Sequence, residues 1–383
     1  MNASRSVDFD TEAAVEACLS SLPASPGSHT VAFGFDGVID TVREMVAQRQ
    51  GPDDYVRIGE LSTLTDRIGE SAAKETSVTI EWVDKGTRTG GLVAHHTRAF
   101  AKLGCNPRMI GFFGDPITSE FESEFAAFPK VTLGTPGRTA AVEFNDGKLL
   151  LTETTGHHNL DWATLQRRLG HERLAKHLDE VDLLGVGYWA MIPGLPSIIE
   201  GLATELWPTL SSPPAHVLFD PADIRHFPSQ RLAAGLDPLC KLNETVPVTV
   251  SGNRGEAIAF ATLATTGVDH ESLAAVATHA REHLGVDRFI AHGASGAATA
   301  TTETVARVEA LQTNDPVLTT SAGDHFNVGV GLGLLEGMNE GALTALGNIV
   351  AGSFVRSGNA PSYEDILLYA DTYASAVGSG MMM

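Results

Sequence analysis

The amino-acid sequence predicts an α/β protein: a central, mostly parallel sheet covered by helices on both faces, with a small β lid. Three observations carry this. From Val181 onward, short apolar β-prone runs alternate with helical ones, as in successive βαβ units. Asn145-Asp146-Gly147 stands between Thr139–Phe144 and Lys148–Thr152, a hairpin signal that a simple doubly wound sheet does not use. Hydrophobic residues make up 43% of the 383, enough for a large core.

The elements follow in chain order. Residues 1–28 read as a helical N-terminal appendage ending in a Pro/Ser/Gly linker. The main domain then spans 29–375, with lid segments near 41–89 and 135–156. His29–Phe35 reads as a buried strand, and residues 43–75 are polar with helical spacing in places. Ser77–Val83 alternates as a strand does. Gly90-Gly91 breaks the chain, and Leu92–Leu103 is an Ala-rich helix stopped by Gly104. Arg108–Phe113 is a short apolar strand. Leu183–Tyr188, Val217–Phe219, Val246–Val250 and Arg288–Ala291 are strands; Ile198–Leu206, Gly255–Thr262 and His270–His283 are helices between or after them. His325–Leu335 and Glu340–Phe354 close the chain as apolar helices.

Charge narrows the function classes. The formal net charge is -21, so nucleic acid and anionic membrane surfaces are not expected partners. An anionic ligand must be held by backbone N–H groups, a metal or a few local cations; Arg88 and Arg138 are candidates near the lid. The three cysteines are far apart with no CxxC, which argues against a disulfide framework or structural zinc. No apolar run nears the ~20 residues of a membrane span, and the acidic N-terminus lacks a signal-peptide core. A cytoplasmic protein is expected.

Four motifs carry chemistry. Thr319 to Phe326 contains Ser321-Ala322-Gly323-Asp324 before an apolar helix. Small residues and a helix start make an anion cradle, and a carboxylate there can take a proton from a hydroxyl; alone, Asp324 reads better as a helix cap. Gly90-Gly91 opens the helix carrying His95, where a small polar ligand can approach the backbone. Asp36 and Asp40 lie at the end of the first strand, as sugar ligands or turn residues. Asn253 and Glu256, three apart, can order water around Mg²⁺, though alone they read better as a capping box. His157-His158 has no metal-ligand spacing, and Trp189 reads as core.

The order and spacing of these motifs resemble the ribokinase/PfkB family of carbohydrate and nucleoside kinases. Gly90 to Gly104 resembles its N-terminal signature, Leu318 to Phe326 its C-terminal signature, and Asn253 to Glu256 its NxxE magnesium motif. Ile290 to Ala297, Asp220-Pro221 and Asn348 through Ser362 match further elements, so the resemblance runs from about residue 30 to about 370. It implies a ribokinase-like fold and transfer of a phosphoryl group from ATP, with Mg²⁺, to a sugar or sugar-like acceptor. It makes Asp324 the base and the N–H groups of Ala322 and Gly323, beside Ser321, the anion hole. Asp36, Asp40, Gly90, Gly91 and His95 then face the acceptor, Asn253 and Glu256 support Mg²⁺ through water, and Gly293, Gly296 and Asn348 line the nucleotide. The sequence departs from the family at His95 (usually Asn), Leu318 (usually Asp) and Ser321 (usually Gly). Those departures keep open a non-catalytic sugar- or nucleotide-binding regulator and, from the GFDGVID spelling, an ADP-dependent sugar kinase. An exposed lid strand offers an edge for a homodimer.

Overall fold

The computed structural model describes residues 7–379 apart from 264 and 266. Its strands are β1 (Val7–Phe9), β2 (Thr30–Gly34), β3 (Val38–Arg49), β4 (Tyr55–Arg57), β5 (Trp82–Gly90), β6 (Asn106–Gly111), β7 (Lys130–Thr132), β8 (Gly137–Glu143), β9 (Lys148–Glu153), β10 (Leu183–Gly187), β11 (His216–Asp220), β12 (Val248–Asn253), β13 (Arg288–Gly293), β14 (Gly296–Ala300) and β15 (Val305–Glu309). Ten of them form the main sheet, in the order β1-β15-β14-β13-β12-β11-β10-β2-β6-β7. Pairing is parallel except for β13-β14-β15, which turn back antiparallel.

Both faces of this sheet are buried, which is why its strands read as apolar runs rather than as alternations. Successive residues still serve opposite layers. Leu184, Val217 and Phe219 enter one core with Trp189, Phe260 and Phe289. Leu183 and Leu218 enter the other, with Phe100, Phe326 and Leu346. Among the described residues no helix is long and apolar enough to cross a membrane.

The second sheet is the lid, built from β4-β3-β8-β9 with β5 also paired to β3. The helix Leu61–Ala73 closes a small separate core on it, with Met45, Ile58, Leu64, Val142 and Phe144. Two expectations change here. The polar stretch after residue 43 is mostly strand as far as Arg49, and the strand placed at Ser77–Val83 instead starts at Trp82 and ends at Gly90. Charged residues such as Arg43, Asp84 and Lys85 lie on a solvated sheet face, where polarity hides strand periodicity.

The N-terminal segment is also more than an appendage. β1 adds a parallel edge strand beside β15. The helix Thr11–Ser21, capped by Asp10, buries Ala14, Val15 and Cys18 in the second core. Residues 1–6 of that segment lie outside the described residues.

Candidate active site

The parallel strands end on one side of the sheet, and the site residues follow those ends. β2 ends just before Asp36, β10 before Tyr188, β11 at Asp220, β12 at Asn253 and β13 at Gly293. The helix Ala322–Leu335 points its N-terminus at this row. It begins three residues earlier than the apolar pattern indicates, so Asp324 sits in its first turn and is not its cap. The cap position belongs to Ser321, in the left-handed region at φ 66 and ψ 12. His325 clamps that turn: its Nδ1–H donates to Ser321 O at 2.8 Å, and its ring stacks on Phe354 at 3.7 Å.

Ala322 N–H donates to Thr319 O at 3.2 Å, whereas the N–H groups of Gly323 and Asp324 have no partner among the described residues. The open donors of this helix start are therefore Gly323 and Asp324, not Ala322. Asp324 is 7% exposed and accepts a hydrogen bond from Tyr188 Oη at 2.9 Å. Tyr188 is itself left-handed, at φ 59.

Asp36 is fully buried. Its two carboxylate oxygens accept from Leu92 N at 2.8 Å and Val93 N at 2.9 Å, so it caps the helix Leu92–Lys102 from outside. Gly91, at φ 87, has to be glycine: a Cβ would lie 2.4 Å from Asp36 Oδ2. A Cβ on Gly90 would likewise strike Asp40 Oδ2 at 2.6 Å. Asp40 stands on β3 opposite Arg88 on β5 and Thr139 on β8, with Arg88 Nε 3.8 Å from Oδ2. Arg138 pairs with Ile39, whose side chain belongs to the other sheet face. His95 touches Ser321: its Nε2 is 3.3 Å from Ser321 Oγ.

On the other side of Asp324, Asn253 and Glu256 form a complete capping box. Asn253 Oδ1 accepts from Gly255 N and Glu256 N at 3.0 and 3.2 Å, and Glu256 Oε2 accepts from Asn253 N at 2.8 Å. Asn327 Nδ2 donates to Asp220 Oδ2 at 2.9 Å. A cleft of about 380 Å³ opens beside the helix start, lined in part by His292, Gly293, Gly323, Asn348, Gly352 and Arg356. It shares Gly293 with a wider groove that Gly296, Arg254 and Arg307 also line. Asn348 Nδ2 fixes the floor by donating to Val308 O at 3.1 Å.

The carboxylates crowd one another. Burial first, then the neighbouring charge of Asp324, pushes Asp220 up to about 7. Burial and then Asp220 push Glu256 up to about 8. Burial also raises Asp36 to about 7 against the pull of its two backbone donors. The histidines shift the other way: burial holds His95 at about 3 and His292 at about 4. Arg225 offsets Glu256 only in part, since burial and Asp220 outweigh it, and among the described residues no three His, Cys, Asp or Glu could cage a metal. It suits a cation that arrives on a phosphate ligand and meets the protein through water.

Sequence reasoning missed Tyr188 and Asn327. Tyr188 belongs to no motif, and its partner lies 136 residues away. Asn327 was legible in principle, one helical turn beyond Asp324. His157 and Trp189 are core, tilted against Phe112 with ring centroids 4.2 Å apart and edge-on to Phe227 at 5.5 Å.

Comparison with known proteins accords with this arrangement. The family model for prokaryotic ketohexokinase matches residues 7–373. A ketohexokinase from Haloferax volcanii is 43% identical over 366 residues, 96% of this chain and 97% of that protein. Solved structures share the fold at low identity. A phosphofructokinase-2 variant from Escherichia coli superposes with TM-score 0.61 at 14% identity, covering 91% of this chain and 100% of its own. Ribokinase from Thermotoga maritima gives 0.57 at 17%, covering 90% and 100%. The fold, the row of strand ends and these matches converge: the chain belongs to the prokaryotic ketohexokinase family, and it is a carbohydrate kinase of the ribokinase fold.

Proposed function

We propose that this kinase moves the γ-phosphoryl group of ATP to a hydroxyl of a ketohexose, with Asp324 as the base. One observation carries the base assignment: a buried carboxylate in the first turn of a helix, beside the open N–H groups of Gly323 and Asp324. The acceptor oxygen forms the new O–P bond as the bond from the γ-phosphorus to the bridging oxygen of ADP breaks. The proton of the hydroxyl passes to Asp324, and the helix start stabilises charge on the moving phosphoryl group. Tyr188 fixes one oxygen of Asp324, leaving the other for the acceptor.

The acceptor class rests on the 43% identical ketohexokinase. The sugar lies under the lid, where Asp40, Arg88 and the Gly90-Gly91 backbone meet it, while Asp36 holds that backbone in place. ATP lies over Gly293 and Gly323, with its base toward Asn348 and Gly352. Mg²⁺ would be held through water by Glu256, whose Oε1 makes no bond to the chain among the described residues, and by Asn253. When bound, it neutralises phosphate charge that the surrounding carboxylates repel. The lid sheet exposes Trp82, Leu150 and Leu151, each more than half accessible, and a second copy meeting it there would cover them; a mass measurement in solution tests that dimer.

The decisive experiment is a coupled assay of nucleotide consumption with Mg²⁺, ATP or ADP, and a panel of ketohexoses, aldohexoses and nucleosides. Turnover with a ketohexose and ATP, lost in Asp324→Asn, is expected. A folded Asp324→Asn protein with near-normal turnover would remove Asp324 from the reaction, and a preference for ADP or another acceptor would reassign the donor or the sugar.

A further inference from the structure

His95 and Ser321 come from different ends of the chain and meet in the site. Their contact has a direction. A guanidinium donates and cannot accept, so at 3.3 Å Arg98 Nη1 donates to His95 Nδ1. That nitrogen is therefore the unprotonated one, and the ring proton is on Nε2, which donates to Ser321 Oγ at 3.3 Å. Ser321 Oγ is an acceptor in this contact and has no other partner among the described residues, so its own hydrogen is available. Arg98 is fixed at the far end by Glu124 Oε1 at 2.5 Å and by Thr89 Oγ1 at 2.8 Å.

We propose that Ser321 donates its hydroxyl hydrogen to the transferring phosphoryl group, as the last member of a donor chain running from Arg98 through His95. The proposal rests on the kinase reading above, since that reading places the phosphoryl group at the helix start that Ser321 caps. His95 and Arg98 are positioning residues: they act through Ser321 and fix which way its proton points.

Three further observations support it. Ser321 occupies a left-handed conformation, which costs about 1 kcal/mol or more when a Cβ is present. A strained backbone that keeps a side chain invites the question of what the side chain does. The site is also crowded with the carboxylates of Asp36, Asp220, Glu256 and Asp324. A donor chain delivers positive dipole to a phosphate there, while the guanidinium itself stays paired with Glu124. Finally, burial keeps His95 neutral, as the chain requires, because a doubly protonated ring cannot accept from Arg98.

The test uses the full chain with ATP and the acceptor found in the assay above, reading kcat, both KM values and a melting curve. Ser321→Ala and Ser321→Gly are expected to lower kcat roughly 10–100-fold, with KM values changed by less than about threefold. His95→Leu should lose as much. His95→Gln, whose amide N–H stands near the place of Nε2–H, should recover most of it. Combining His95→Leu with Ser321→Ala should cost no more than Ser321→Ala alone, because members of one chain are not additive. Should Ser321→Ala fail to fold, Ser321→Gly carries the test, since glycine suits the left-handed turn. Wild-type kcat in folded Ser321→Gly overturns the proposal, as do multiplicative losses in the double variant or equal losses in His95→Gln and His95→Leu. Wild-type chain measured beside Asp324→Asn separates the two readings: no sugar phosphorylation by the wild type sinks the kinase reading and this inference with it. Normal phosphorylation that Ser321→Gly leaves untouched sinks the inference alone.

Discussion

Ser321 and Asp324, three residues apart, show how differently single residues declare themselves. Asp324 is legible because its neighbours are: Ala322-Gly323 before an apolar helix implies a helix start, and a carboxylate there is either cap or base. The structure puts Ser321 at the cap position and Asp324 in the first turn, and the proposed base is what a variant tests. Asp324→Asn should keep the melting temperature within a few degrees and lower kcat roughly 10²–10⁴-fold, read by the coupled assay and a thermal melt. Ser321→Gly should be as stable as the wild type or more so, by up to about 1 kcal/mol, as the melting temperature will show. Tyr188 could not be read from sequence at all, since its role depends on β10 ending opposite Asp324. Tyr188→Phe should retain the fold and lower kcat by about tenfold, the scale of one lost hydrogen bond to a charged group, with sugar KM nearly unchanged.

At the scale of elements, the parallel strands were the clearest part of the sequence, because burial on both faces gives unbroken apolar runs. The lid strands were the least clear: β5 carries Asp84, Lys85, Thr87 and Arg88 and still pairs with β3 along its length. The motif at Asn253 shows one segment serving two ends. It is a capping box, as the bland reading holds, and it also delivers Glu256 to the carboxylate cluster at the ends of β11 and β12. That delivery has a pH signature. Asp220 and Glu256 have folded pKa values raised to about 7 and about 8, so the stability linked to their protonated forms is full below about pH 4 and is lost as pH rises through 7 to 8. Buried histidines such as His292, held at about 4, act oppositely: their stability is present above about pH 6.5 and is lost as pH falls toward 4. Between pH 6.5 and 8 only the carboxylates of these two sets still change. The ligand-free melting temperature should fall across that window, and Asp220→Asn should flatten the slope.

The molecule as a whole carries a net charge of -21, and like charges on one compact body repel. Salt screens that repulsion within about 10 Å at 0.1 M. Raising potassium chloride from 0.05 to about 1 M should therefore raise the melting temperature; a flat or falling curve would show that local pairs such as Arg288–Glu340 outweigh the overall repulsion. At this scale the sequence conveyed the α/β architecture and the lid, because both follow from periodicity and turn chemistry. It did not convey where the N-terminal segment goes, since a three-residue strand has no periodicity to read. That strand has a consequence in time. Glu309 N–H donates to Thr11 Oγ1 at 3.0 Å, across 298 residues of chain, and β1 lies beside β15. A ribosome releases β1 long before β15 exists, so this edge of the main sheet closes only after the other strands of the sheet have been made. Val308 and Glu309 line the groove that Gly293 shares, and a growing chain has no finished groove there until β15 has been made and has met β1.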